Sequence, residues 1–148
     1  MSKVVPLISS GTAGPLGVIH LPRLWQKVSL EAVGKLADGY PGIGGGYDMM
    51  VINALGLNAD SVKKFIKDSK PTYPQFEAWI KKQPGVKLDN ATIHKSNVAI
   101  QGYIHKDDVR KSILSANGIA DEGSVHHGAV DLNNLDDWKE FHASTIAS

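Results

Sequence analysis

Cysteine is absent from all 148 residues, which excludes disulfides, thiolate nucleophiles and metal sites with sulfur ligands. Net charge is nearly absent too. Sixteen Lys and Arg stand against fifteen Asp and Glu, a formal +1, and the pairs Lys63-Lys64 and Lys81-Lys82 have Asp60, Asp68 and Glu77 close by. A nucleic-acid binder would show a basic face or an aromatic-basic platform, so no nucleic-acid partner is expected. No apolar run reaches the ~20 residues of a membrane-spanning helix, and Met1 to Ser10 is too short and proline-broken for a signal peptide. The cytoplasm is the expected compartment. Strand-like alternation is confined to Val4 to Ile8 and Val125 to Val130, too little for a sheet, and no hairpin turn signal is present.

What remains is helical periodicity. The spacing of apolar residues predicts an all-α fold of about six to seven helices: an extended N-terminal arm over 1–17, one helical domain over 18–143, and a frayed end at 144–148. The arm carries Val4, Val5, Leu7 and Ile8, poor residues for a free tail, so it should dock, either on its own domain or on a second subunit.

Pro22 marks the start of the first helix, because proline tolerates a first turn whose N–H has no intrahelical acceptor. The helix should run to about Leu36 and bury Leu24, Trp25, Val28, Ala32 and Leu36. Lys27 and Glu31, four apart, read most simply as a surface ion pair. His20 precedes the helix, where the positive end of the macrodipole favours a neutral ring. The glycine-rich stretch Gly39 to Gly46 must be a loop and opens onto an apolar helix from Met49 to Leu55 with Asp48 at its start. Phosphate-binding glycine loops follow a strand and have a different spacing, and an Asp stands where the anion would dock. Leu55-Gly56-Leu57 reads as a helix stop, Asn58 as a cap, Thr72-Tyr73-Pro74-Gln75 as a capping box, and Asp89 or Asn90 as the next cap. A further helix should bury Val109, Ile113 and Ala116, and a last one, from Asn134 to Ala143, should bury Leu135, Trp138 and Phe141.

The series Ile19-His20-Leu21-Pro22-Arg23-Leu24, then Lys27, Gly34, Tyr40, Asp48, Leu55-Gly56-Leu57 and Trp79-Ile80, resembles the small bacterial domain-of-unknown-function family 5069. The resemblance spans about Gly17 to Phe141 and is firmest up to Ile80. It implies a helical single-domain protein with a His-Leu-Pro-Arg start and an acidic-aromatic tail, matched here by Asp131-Leu132 and Leu135-Asp136-Asp137. It names no reaction. The chain departs from the pattern at Gln26, where the family leads one to expect an acid.

The residues suggest two functions. One is a cofactor-independent site for a small anionic or polar molecule, catalytic if His20 is a general base with Asp48 and Tyr40 as its acid-base partners. Arg23 and Lys27 would then grip the anion, with Tyr47 and Trp25 completing the pocket. Lyase, isomerase or hydrolase chemistry fits, since no redox or nucleotide fingerprint is present. The plainer alternative is a non-catalytic interaction module or homodimeric scaffold in which Arg23 bridges to Asp48 and the tyrosines fill space. His94 and His105 share a stripe but lie ~16 Å apart along a helix, too far for one metal ion. His126, His127 and Asp131 are weak metal candidates, because no ligand spacing supports them.

Overall fold

The structure, a computed structural model, describes residues 2–122 and 128–148. Among these the fold is all-α: α1 (Leu21–Ala32), α2 (Tyr47–Leu55), α3 (Ala59–Ser69), α4 (Tyr73–Lys81), α5 (Asn90–Gln101), α6 (Asp107–Ala116) and α7 (Ala129–Phe141). A π-turn over His142–Ile146 then continues the chain where fraying was expected. Among the described residues extended chain makes only isolated bridges, and no helix is long and apolar enough to cross a membrane. Val125, His126 and His127, the core of the second strand-like stretch and two of the metal candidates, lie outside the described residues. The chain groups into two compact units, residues 1–100 and 101–148.

Local chemistry sets the helix ends of the first unit. The Asn58 side chain accepts from Ser61 N. Thr72 and Gln75 exchange side-chain-to-backbone bonds in a reciprocal capping box, satisfying two amides that the helix itself cannot. Gly56 takes a left-handed φ of 73° and lets Leu57 N reach back to Ile52 O, the expected glycine stop. Helix α1 packs on α2, α3 and α4. Its Leu21, Leu24 and Val28 meet a core shared by Val51, Ile52 and Leu55 of α2, Val62 and Ile66 of α3, and Phe76 and Ile80 of α4, all at most 2% exposed. Burial of this size is the main driving force available to a unit of about a hundred residues.

Helix α1 ends at Ala32, four residues before the predicted end. Gly34 turns left-handed at φ 70°, and Lys35 N bonds to Leu30 O. Leu36 is buried, but as the partner of the arm: Val4 N donates to Lys35 O, Ala37 N donates to Val4 O, and Val4 and Leu36 form a parallel bridge. The arm therefore docks on its own chain, with Val5 and Ser10 buried.

In the second unit α6 packs on α7, with Ile113, Leu114 and Leu132 in a small core and Leu135 against it. Helix α7 begins at Ala129, five residues earlier than predicted. The buried side therefore carries Val130 and Leu132, while Trp138 is 57% exposed. Val109 and Ala116 of α6 are exposed as well, and Leu114 takes the inward place. His105 pairs with Asn133 Oδ1 at 2.8 Å.

Candidate functional site

His20 is the pivot. It precedes α1 with φ 72°, a left-handed conformation that costs a residue with a Cβ about 1–3 kcal/mol and persists only where surroundings enforce it. Three bonds enforce it here. His20 N donates to Thr12 O, Ile19 N donates to Asn97 Oδ1, and Asn97 Nδ2 donates to Gly17 O, so one side chain of α5 pins the chain that enters α1. The imidazole is thereby held inside the unit, and the residue is 2% exposed.

Both ring nitrogens are engaged. Nε2 lies 2.6 Å from Asp48 Oδ1, and Nδ1 lies 3.0 Å from Ser10 Oγ. Asp48 also accepts from Lys27 Nζ at 2.5 Å and from Gly44 N at 2.8 Å. The glycine loop thus closes over the carboxylate, and its mouth is a backbone N–H aimed at Asp48. Burial pushes the Asp48 carboxyl up, but the His20 hydrogen bond and the Lys27 charge outweigh it and leave it below its ordinary value. For His20 burial is the largest influence and lowers it; Lys27 and Arg23 add to the lowering, Asp48 opposes it, and the ring ends below its ordinary 6.5. Neutral His20 therefore follows chiefly from desolvation, with the helix dipole unneeded.

These charge states assign the protons. An ionised Asp48 can only accept, so Nε2 carries the hydrogen. The neutral ring then has its lone pair at Nδ1, and the Ser10 hydroxyl donates to it. The arrangement is a Ser10 to His20 to Asp48 relay with Lys27 holding the far carboxylate oxygen. Such a relay can take a proton at Nδ1 and stabilise the resulting imidazolium through Asp48.

Set against known proteins, the chain matches no family model, no curated protein and no solved structure. The site must be read from its own atoms.

Of the residues singled out from sequence, the structure brings together His20, Asp48, Lys27 and Tyr47. The Tyr47 ring meets His20 edge-on at 5.5 Å and its hydroxyl donates to Ile100 O. Arg23 is buried beside them, and its guanidinium donates to Pro6 O and Ile8 O of the arm. The partner of Lys27 is Asp48; Glu31, its expected surface partner, instead accepts from Gly42 N. Gln26, the residue before Lys27, accepts from Ile8 N and takes no part in the Lys27 pair. Trp25 donates to Pro71 O and lines a separate groove, and Tyr40 lines another with Lys3 and Asp38. Asp131 is in the first turn of α7, and no described residues form a group of three or more metal-ligand side chains. Sequence reasoning missed Ser10 and Asn97. Nothing in a Ser-Ser-Gly arm or in the middle of α5 marks either, because their roles depend on contacts ten and about eighty residues away.

The relay has a pH signature. The folded value of His20 is lower than its unfolded value, so below about 6.5 unfolding takes up a proton and stability falls with pH. Its contribution is complete above 6.5 and disappears on the way down to the folded value. Asp48, also lowered from its ordinary 3.8, contributes above that value and is lost as pH falls through its folded value. One proton limits the slope to about 1.4 kcal/mol per pH unit. Denaturation between pH 8 and pH 5 should show the upper window in wild type and a flatter profile in His20→Asn, whose side chain tolerates left-handed φ. Identical slopes would mean that His20 does not carry the effect.

Proposed function

We propose that this protein is cytoplasmic and that its residues 2–100 carry a closed acid-base site for a small polar or anionic molecule, with His20 as base. Asp48 fixes the ring tautomer and stabilises the imidazolium, Lys27 holds Asp48, and Ser10 passes the proton or yields its place to a substrate. The observation that carries this reading is the strained, buried His20 with an ionised carboxylate on Nε2 and a hydroxyl on Nδ1. Buried charges seldom raise stability over an apolar core of similar volume, and strain gathers where function requires it. The loop over 39–46 is the way in, since its Gly44 N–H is the cover on Asp48. Proton transfer of the lyase, isomerase or hydrolase type fits a neutral base whose conjugate acid is stabilised in place. The resemblance to the domain-of-unknown-function family rests on several of the same residues.

The complete burial of these groups favours a second reading, in which the network is a clamp holding the arm and loop of an interaction module or homodimer. Hydrogen exchange and a thermal-shift screen separate the two. If the site opens, Gly44 N–H exchanges far faster than the amides of α1, and a carboxylate or phosphate raises the wild-type midpoint but leaves folded His20→Asn unmoved. Exchange of Gly44 only through global unfolding, with no midpoint moved, would reject the site and leave the clamp.

A further inference from the structure

A second place in the first unit has the marks of a ligand site and stands apart from the buried relay. Between α1 and α3 lies a groove of about 330 Å³, at the small end of ligand pockets. Its walls are apolar: Trp25, Leu30, Val33, Ile66 and Pro71. The indole bond to Pro71 O holds Trp25 as a fixed face. Two cations, Lys35 and Lys70, also line it, and neither ammonium has a carboxylate partner among the described residues.

Two costs are concentrated here. Ser29, also lining the groove, has the one buried side-chain oxygen or nitrogen without a hydrogen-bond partner among the described residues. Leaving a hydroxyl shut from water and unbonded is unfavourable. Lys70 ends α3 with φ 44° and ψ 57°, the left-handed cap where glycine or asparagine is usual, and it precedes Pro71, which further disfavours that conformation. Glycine would meet the cap without strain; lysine places a cationic side chain beside the groove.

We propose that this groove binds a small amphipathic carboxylate. The apolar tail lies on Trp25, Leu30 and Val33, the carboxylate pairs with Lys35 and Lys70, and a χ1 rotation brings the Ser29 hydroxyl to it as a donor. Charge complementarity selects the anion: two unpaired ammonium groups on an apolar cleft favour a carboxylate over an amine or an alcohol of the same length.

The test is titration of the full chain with octanoate, octanol and octylammonium, following the Trp25 indole N–H by nitrogen-15 correlation NMR. Octanoate should move that resonance saturably, while octanol binds about tenfold more weakly and octylammonium not at all. Lys70→Gly should weaken octanoate binding about tenfold while the unfolding midpoint stays level or rises; Lys35→Met should weaken it similarly. Equal binding of octanoate and octanol would overturn the proposal, as would a Trp25 resonance unmoved at millimolar octanoate. An effect of octanoate abolished by His20→Asn would place the anion at the relay and overturn it too.

Discussion

Asp48→Asn is expected to lower stability by about 3–5 kcal/mol, the cost of leaving a buried charge without its partner. The carboxylate serves three donors at once: the His20 ring, the Lys27 ammonium and Gly44 N–H. An amide keeps most of the volume but cancels the charge that Lys27 needs, and Lys27 is only 6% exposed. Urea denaturation at pH 7.5 measures the loss. Adding Lys27→Met to the Asp48→Asn variant should recover part of it, because removing both charges costs less than stranding one. A loss under ~1 kcal/mol, as for an exposed ion pair, would mean that the cluster is open to water in solution, and the closed-site reading would fall with it.

Arg23→Ala should cost roughly 2–4 kcal/mol, through lost hydrogen bonds at one buried and one part-buried carbonyl and a cavity on α1. The greater consequence is for the arm. Arg23 holds Pro6 O and Ile8 O on either side of Leu7, and Ser10 follows two residues later. With the guanidinium gone, Leu7 and Ile8 should become cleavable by thermolysin under conditions where α1 to α4 resist. Ser10 should leave His20 Nδ1, and the ring, rehydrated, should titrate closer to its ordinary 6.5. An arm as resistant as in wild type would assign its docking to the Val4 bridge and the Gln26 bond to Ile8 N.

The two experiments divide the site. Asp48 tests the charges between α1 and α2, and Arg23 tests the closure supplied by the arm.

Much of the helical framework was legible in the residues because helix signals act over three or four positions. Asn58, the Thr72 to Gln75 box and the Gly56 stop each bond within their own turn, so composition at short range decides them. Where α1 ends was not legible. Leu36 continues the apolar stripe, yet the arm takes it into a bridge with Val4, and a contact of thirty-two residues' separation leaves no mark in a helical period. Helix α7 shows the same limit, since its earlier start shifts the face and puts Trp138 outside.

His20 and Asp48 stood out by residue type and by their places at helix beginnings, and Lys27 by its charge within the first helix, so the sequence by itself determined an all-α fold and the raw materials of a charged cluster. Tertiary structure alone decided which groups meet: Lys27 on Asp48 and away from Glu31, Arg23 on the arm, Ser10 on the imidazole. It also decided the protonation states. Desolvation sets His20 neutral and two donors hold Asp48 ionised, and desolvation is a property of everything packed around a side chain, which no local run of sequence encodes.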